Sequence, residues 1–218
     1  VVCNTPYHVI WKRSGRLKNH IQMVLNSEVL FYSKETRTDI GKCYVICSDN
    51  NIDRFSKSYL GSLKKSQNMT RYTLFTPQGE QYQTHEGETL GLSFFTPKEL
   101  KNNGVRAFRI AIPKKQPYFP SSKEMNLSRI AQNCVQSDDI LLLRTKYPEL
   151  LPGPVLKLQF GNAHVISSTK NFIIEDEGGH IIFMIYKSSD EMCTVKVAPP
   201  ITPLMAFSIS IAIITSKK

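Results

Sequence analysis

Acidic residues are scarce in this chain, with 18 Asp and Glu against 28 Lys and Arg and a formal charge of +10. A field of that sign favours anionic partners, whether nucleic acid, acidic phospholipid or an acidic protein surface, and does not choose among them. Long apolar runs are also lacking. The most apolar stretch, PLMAFSISIAIITSKK (203–218), is interrupted by Ser208 and Ser210 between Leu204 and Thr215. A helix that spans a bilayer needs about 20 apolar residues, so no transmembrane anchor is expected. Cysteines number five and lie scattered. The opening VVCNTPYHVIW has no basic start followed by a long apolar run, so the expectation is no signal peptide and a reduced, intracellular setting. In that setting the acceptor-like sequons at Asn68 and Asn126 carry little meaning.

Motifs of chemistry are missing as well. The chain has no G-x-S-x-G, H-E-x-x-H, P-loop, G-x-G-x-x-G or C-x-x-C, and its five histidines lack metal-ligand spacing. No catalytic residue, metal site or cofactor is expected. Cys43 and Cys47 fall on one face of an expected strand in GKCYVICSD, which reads as two packed thiols. The acidic runs EDE (175–177) and SDD (137–139) read as solvated loop carboxylates.

What the chain does have is a series of short runs rich in β-branched and aromatic residues. They lie at 7–11, 20–25, 28–33, 43–48, 70–76, 90–95, 106–112, 139–144, 154–160, 170–175, 180–187 and 192–197. Turn residues separate them, the pattern of an antiparallel sandwich or barrel. RAFRIAI and TRYTLFT alternate apolar side chains with Arg or Thr. DEGGH (176–180) reads as a hairpin turn. A helix is expected over 121–133, opened by a capping box of Ser121 and Glu124. The tail is ambiguous: FSISIAI alternates like a strand, while MAFSISIAII would also suit a helix apolar on every side and therefore buried. With no repeat or linker in view, residues 1–218 are read as a single domain.

The cations are densest in SLKKSQNMTR (62–71), VRAFRIAIPKK (105–115) and WKRSGRLK (11–18). Arg106 and Arg109 fall in an expected strand, and two cation-bearing strands side by side would gather charge into one concave site. Arg forks match phosphate oxygens and Lys adds point charge, so such a site would take a multiply phosphorylated headgroup. The aromatic interleaving of a single-stranded nucleic-acid platform is thin.

Several segments in order resemble the C-terminal domain of the tubby and tubby-like proteins. DRFSKSYLGSLKKSQNMTRYTLFTPQGE (53–80) is similar to the region of that family's YIGKLRSN motif, and NNGVRAFRIAIP (102–113) to its GPRKMSVIVP strand. LSRIAQNCVQSDDILLLRTKYP (127–148), GPVLKLQFGNAHVISSTKNFIIED (153–176) and the closing PLMAFSISIAIITSKK continue the likeness. The resemblance implies an α+β fold, a closed, mostly antiparallel β-barrel of about twelve strands with no open edge. The hydrophobic C-terminal helix would thread its centre, so the resemblance implies that the tail is a buried helix.

The resemblance also implies a non-enzymatic domain that binds phosphatidylinositol 4,5-bisphosphate through a basic pocket. The family's K-L-R positions read Ser62, Leu63 and Lys64 here, so the first cation is absent, and the Arg of its G-P-R-K motif matches Arg106. Lys65 adjoins Lys64 but should point to the opposite face of the strand. Lys64 and Arg106 would contact the phosphates, with Lys65, Arg71 and Arg109 in support. At about 1 kcal/mol per basic residue near an anionic surface, the loss of one or two weakens binding roughly tenfold. Three functions follow as alternatives. The first is a peripheral, monomeric adaptor that ties protein cargo to the plasma or ciliary membrane. The second is a scaffold of a ciliary or axonemal assembly whose lipid site has decayed. The third, disfavoured by the thin aromatic pattern, is a nuclear nucleic-acid-binding regulator.

Overall fold

Alternate residues of RYTLF and AFRIAIP face one common core. Tyr72, Leu74, Phe108, Ile110 and Ile112 are all buried in it, while Arg71 and Arg109, at the intervening positions, face outward. This period of two repeats around the molecule and builds a closed sheet. The computed structural model describes residues 5–14, 17–38, 41–67, 70–77, 87–98, 105–115, 126–152 and 155–216.

The strands are β1 (Tyr7–Ser14), β2 (Leu17–Leu25), β3 (Glu28–Thr38), β4 (Gly41–Cys47), β5 (Tyr59–Lys65), β6 (Arg71–Phe75) and β7 (Glu88–Phe95). They continue as β8 (Ala107–Pro113), β9 (Ile140–Thr145), β10 (Glu149–Leu151), β11 (Val155–Lys157), β12 (Phe172–Glu175), β13 (Ile181–Ser189) and β14 (Met192–Val197). Twelve of them close a barrel in the order β1-β14-β13-β12-β9-β8-β7-β6-β5-β4-β3-β2, every pair antiparallel, and β10 and β11 form a separate two-stranded sheet. The run at 154–160 is thus not a barrel strand. Its place in the wall is taken by β5, whose polar SLKK sequence hides it from an apolar-run reading. The expected hairpin is present: β12 and β13 meet at Asp176–His180, where Gly179 adopts φ +79 and the Asp176 carboxylate accepts the His180 N–H at 2.8 Å.

The tail is a helix, Pro203–Thr215 (α2, after the short outer helix α1 at Leu127–Asn133). Its start is set locally at Thr202, whose hydroxyl accepts the Met205 N–H, and Pro203 opens the first turn. Every residue from Met205 to Ile214 is buried by the surrounding strands. Period two therefore misleads here, because the helix has no solvent face to mark. Ser208 and Ser210 survive in this core by donating to the carbonyls of Leu204 (2.9 Å) and Ala206 (2.7 Å) one turn back.

Helix α1 packs outside the barrel against β7 and β8, where Leu127, Ile130 and Ala131 cover Ala111 and Ile140. The expected capping box at Ser121 and Glu124, like the sequon at Asn68, lies outside the described residues. The observed cap is Asn126, whose side chain accepts the Arg129 N–H at 2.8 Å. Cys43 and Cys47 share the outer face of β4 as buried thiols under the 48–58 connection. The EDE run is only partly loop, because Glu175 ends β12 and pairs with Arg144 at 3.4 Å.

Candidate functional site

The end of β5, the start of β6, the end of β7, the start of β8 and the end of β9 lie together at one end of the barrel. All six residues singled out in the sequence fall on these strands or beside them, but on two different surfaces. Ser62, Lys64, Arg71 and Arg109 belong to the outer wall. Lys65 and Arg106 turn into the mouth, where the C-terminal end of α2 emerges.

On the outer wall, strand register sets the spacing. Lys64 opposes Thr73 on β6, and Arg71, two residues before Thr73, opposes Ser93, which in turn opposes Arg109 and then Arg144. A diagonal pair sits about 7–8 Å apart, which separates Lys64 from Arg71. Two strand spacings of about 4.8 Å each separate Arg71 from Arg109. Lys64 stands 4.5 Å over the Phe75 ring, and Arg109 4.2 Å over the Phe95 ring while donating to the Gln132 carbonyl at the end of α1. The Arg71 Nε is buried with no hydrogen-bond partner among the described residues. Ser93, 3% exposed, lies between the Arg71 and Arg109 positions across the strands. Ser62 is fully buried, so its hydroxyl does not reach the surface where a ligand would lie.

At the mouth, Arg106 precedes β8 rather than lying in it. It donates to the Ser216 hydroxyl at 2.9 Å and the Thr169 carbonyl at 3.3 Å, so a cation sits at the negative end of α2. Burial pulls its guanidinium below the ordinary value, and nearby Tyr72 acts in the opposite direction. Lys65 lies 5.2 Å over the Tyr72 ring and is buried. It points away from Lys64, as strand alternation requires. Glu35 takes hydrogen bonds from Lys42 and from the Tyr44 hydroxyl. Burial alone would raise its pKa, but those bonds and the charges of Lys42 and Lys65 hold it below the usual carboxylate range. Burial also pushes the Tyr72 phenol up to about 12.

A groove of about 1330 Å³ opens beside the mouth, lined by Arg106, Lys146 and Lys157 together with Phe160, Ser168 and Thr169, and no carboxylate among the described residues lines it. Sequence reasoning missed Ser93 and Arg144, which only strand register brings beside the predicted cations, and Lys146 and Lys157, which join Arg106 only in the lining of the groove. It also missed Arg54, whose guanidinium reaches back from the 48–58 connection to the Cys43 thiol at 3.4 Å. Cys43 opposes Lys64 on β5, so Arg54 extends the basic band to the other side of Lys64. Among the described residues, no three His, Cys, Asp or Glu side chains are grouped to hold a metal ion.

The band presents cations at spacings that long side chains bridge onto a single polyanion, with Arg forks for bidentate contacts. A comparison with curated proteins finds no match. The family model of the Tub family matches residues 7–216, from β1 to the end of α2. The chain belongs to the Tub family.

Proposed function

We propose that this chain is a non-enzymatic adaptor that binds the headgroup of phosphatidylinositol 4,5-bisphosphate at a membrane surface and holds a protein partner there. The observation that carries this reading is the outer-wall band, in which strand register gathers Lys64, Arg71 and Arg109 on one face of β5 to β8 around Ser93. Membership of the Tub family supports it. Lys64 and Arg71 are the primary phosphate contacts and Arg109 is held ready by Phe95 and Gln132. Arg106, which the likeness to the family motif favours, is committed to Ser216 and Thr169 and contributes charge from behind the wall. The adaptor's working place is the cytoplasmic face of the plasma or ciliary membrane.

The test is co-sedimentation with vesicles of matched total negative charge, with and without phosphatidylinositol 4,5-bisphosphate. Wild-type protein binds the phosphoinositide vesicles selectively, and the Lys64→Glu, Arg71→Glu double variant loses that selectivity. Equal binding to both vesicle types removes the reading.

One observation favours a second reading, the protein scaffold. The groove beside Arg106 is lined by three cations and by no carboxylate among the described residues, and its length along the irregular 158–171 segment suits an extended acidic segment of a partner. Stable capture of such a segment by a protein that ignores phosphoinositide vesicles would establish the scaffold and displace the lipid adaptor.

A further inference from the structure

Phe55 is 95% exposed, far more than Tyr147 and Leu151, the other large exposed apolar side chains among the described residues. A single exposed apolar side chain is common on protein surfaces and means little by itself. Two further observations set Phe55 apart.

The first is that its turn is pinned. The Asp53 carboxylate accepts the Phe55 N–H at 3.1 Å, and the Asp53 carbonyl accepts from the Ser56 N–H at 3.2 Å and from the Cys47 thiol at 3.6 Å. Asp49 takes the Asn51 N–H at 3.0 Å and the Ser58 hydroxyl at 2.7 Å. Both carboxylates of the connection are thus turned to its own hydrogen bonds, and the fixed turn holds the ring out into solvent. The second is position. Arg54, the preceding residue, lies on Cys43 next to Lys64, so Phe55 stands at the flank of the basic band. Lys57, exposed, adds a cation on the same turn.

We propose that Phe55 is an interfacial anchor, its ring entering the boundary between headgroups and acyl chains of a lipid bilayer while Arg54, Lys57 and the band face the headgroups. The inference rests on the phosphoinositide reading and deepens it by giving the site an orientation on the membrane. Peripheral binding strength grows with apolar area buried in the interface plus attraction to anionic lipid, and the Phe55 turn supplies both at one point. A pinned turn also loses little backbone freedom on insertion of its ring.

The chain's one tryptophan, Trp11, is buried at 2% exposure, which makes Phe55→Trp a clean probe. Bound to phosphatidylcholine vesicles containing phosphatidylinositol 4,5-bisphosphate, the Phe55→Trp protein shows blue-shifted emission that lipids brominated in the upper acyl chain quench. Phe55→Ser weakens vesicle binding about tenfold, the share expected for a partly inserted aromatic ring. Its affinity for soluble inositol 1,4,5-trisphosphate stays at the wild-type value. Vesicle binding by Phe55→Trp without quenching, or by Phe55→Ser at wild-type strength, overturns the anchor and leaves headgroup recognition standing. Absence of vesicle binding by the wild type overturns both.

Discussion

Gly91 is where α1 meets the barrel most closely, and adding one methyl group there tests how the outer wall is built. A Cβ at Gly91 would lie 2.2 Å from the Leu127 carbonyl carbon and 2.4 Å from both the Leu127 oxygen and the Ser128 nitrogen. These are backbone atoms, so no side-chain rotation relieves the overlap. Helix α1 must retreat by about 1 Å to restore ordinary contact. The retreat stretches the 2.7 Å hydrogen bond from the Leu127 N–H to Glu88, a carboxylate only 1% exposed. Overpacking costs about 1–3 kcal/mol, and weakening the buried hydrogen bond to Glu88 adds to it, for a total of about 3 kcal/mol. At about 2–4 °C per kcal/mol for a chain of this size, Gly91→Ala lowers Tm by about 6–12 °C. Calorimetry or a far-ultraviolet circular dichroism melt reads this directly. A Tm within about 1 °C of wild type would refute the close docking of α1 on β7.

Two further predictions concern the mouth. Arg106→Ala removes the bonds to Ser216 and Thr169, costs about 1–2 kcal/mol, and speeds amide exchange in the last turn of α2; unchanged protection there would contradict its role at the helix end. Glu35 has a depressed pKa in the folded protein, so its contribution is complete above its ordinary value of 4.5 and is lost as pH falls through the lower folded value. The Tm difference between wild type and Glu35→Gln is therefore full near neutral pH and shrinks below about 4.5, and a difference that grows with acid would contradict the assignment.

The barrel strands with strong alternation, such as β6 and β8, are legible in the sequence because each has one apolar face toward a single core. β5 is not, because its inward residues include Lys65 beside Leu63, and its outward Ser62 is buried although it lies outside the barrel core. α2 is opaque to periodicity for the opposite reason, being buried on all sides, and only the family resemblance identifies it as a helix. The cations Lys64, Arg71 and Arg109 are legible one by one, but their grouping is not: it depends on which residues oppose one another across β5 to β9. The same register divides Lys64 from Lys65, neighbours in sequence that serve different surfaces. Phe55 gives no signal in the sequence, since its exposure follows from how Asp49 and Asp53 fold the turn.

The most direct measurement is a nuclear magnetic resonance titration of the labelled protein with soluble inositol 1,4,5-trisphosphate. The expected shifts concentrate at Lys64, Arg71, Ser93 and Arg109, and Lys64→Glu with Arg71→Glu abolishes them. Shifts confined to the groove around Lys146, Lys157 and Thr169, or no shifts at all, would contradict the phosphoinositide reading.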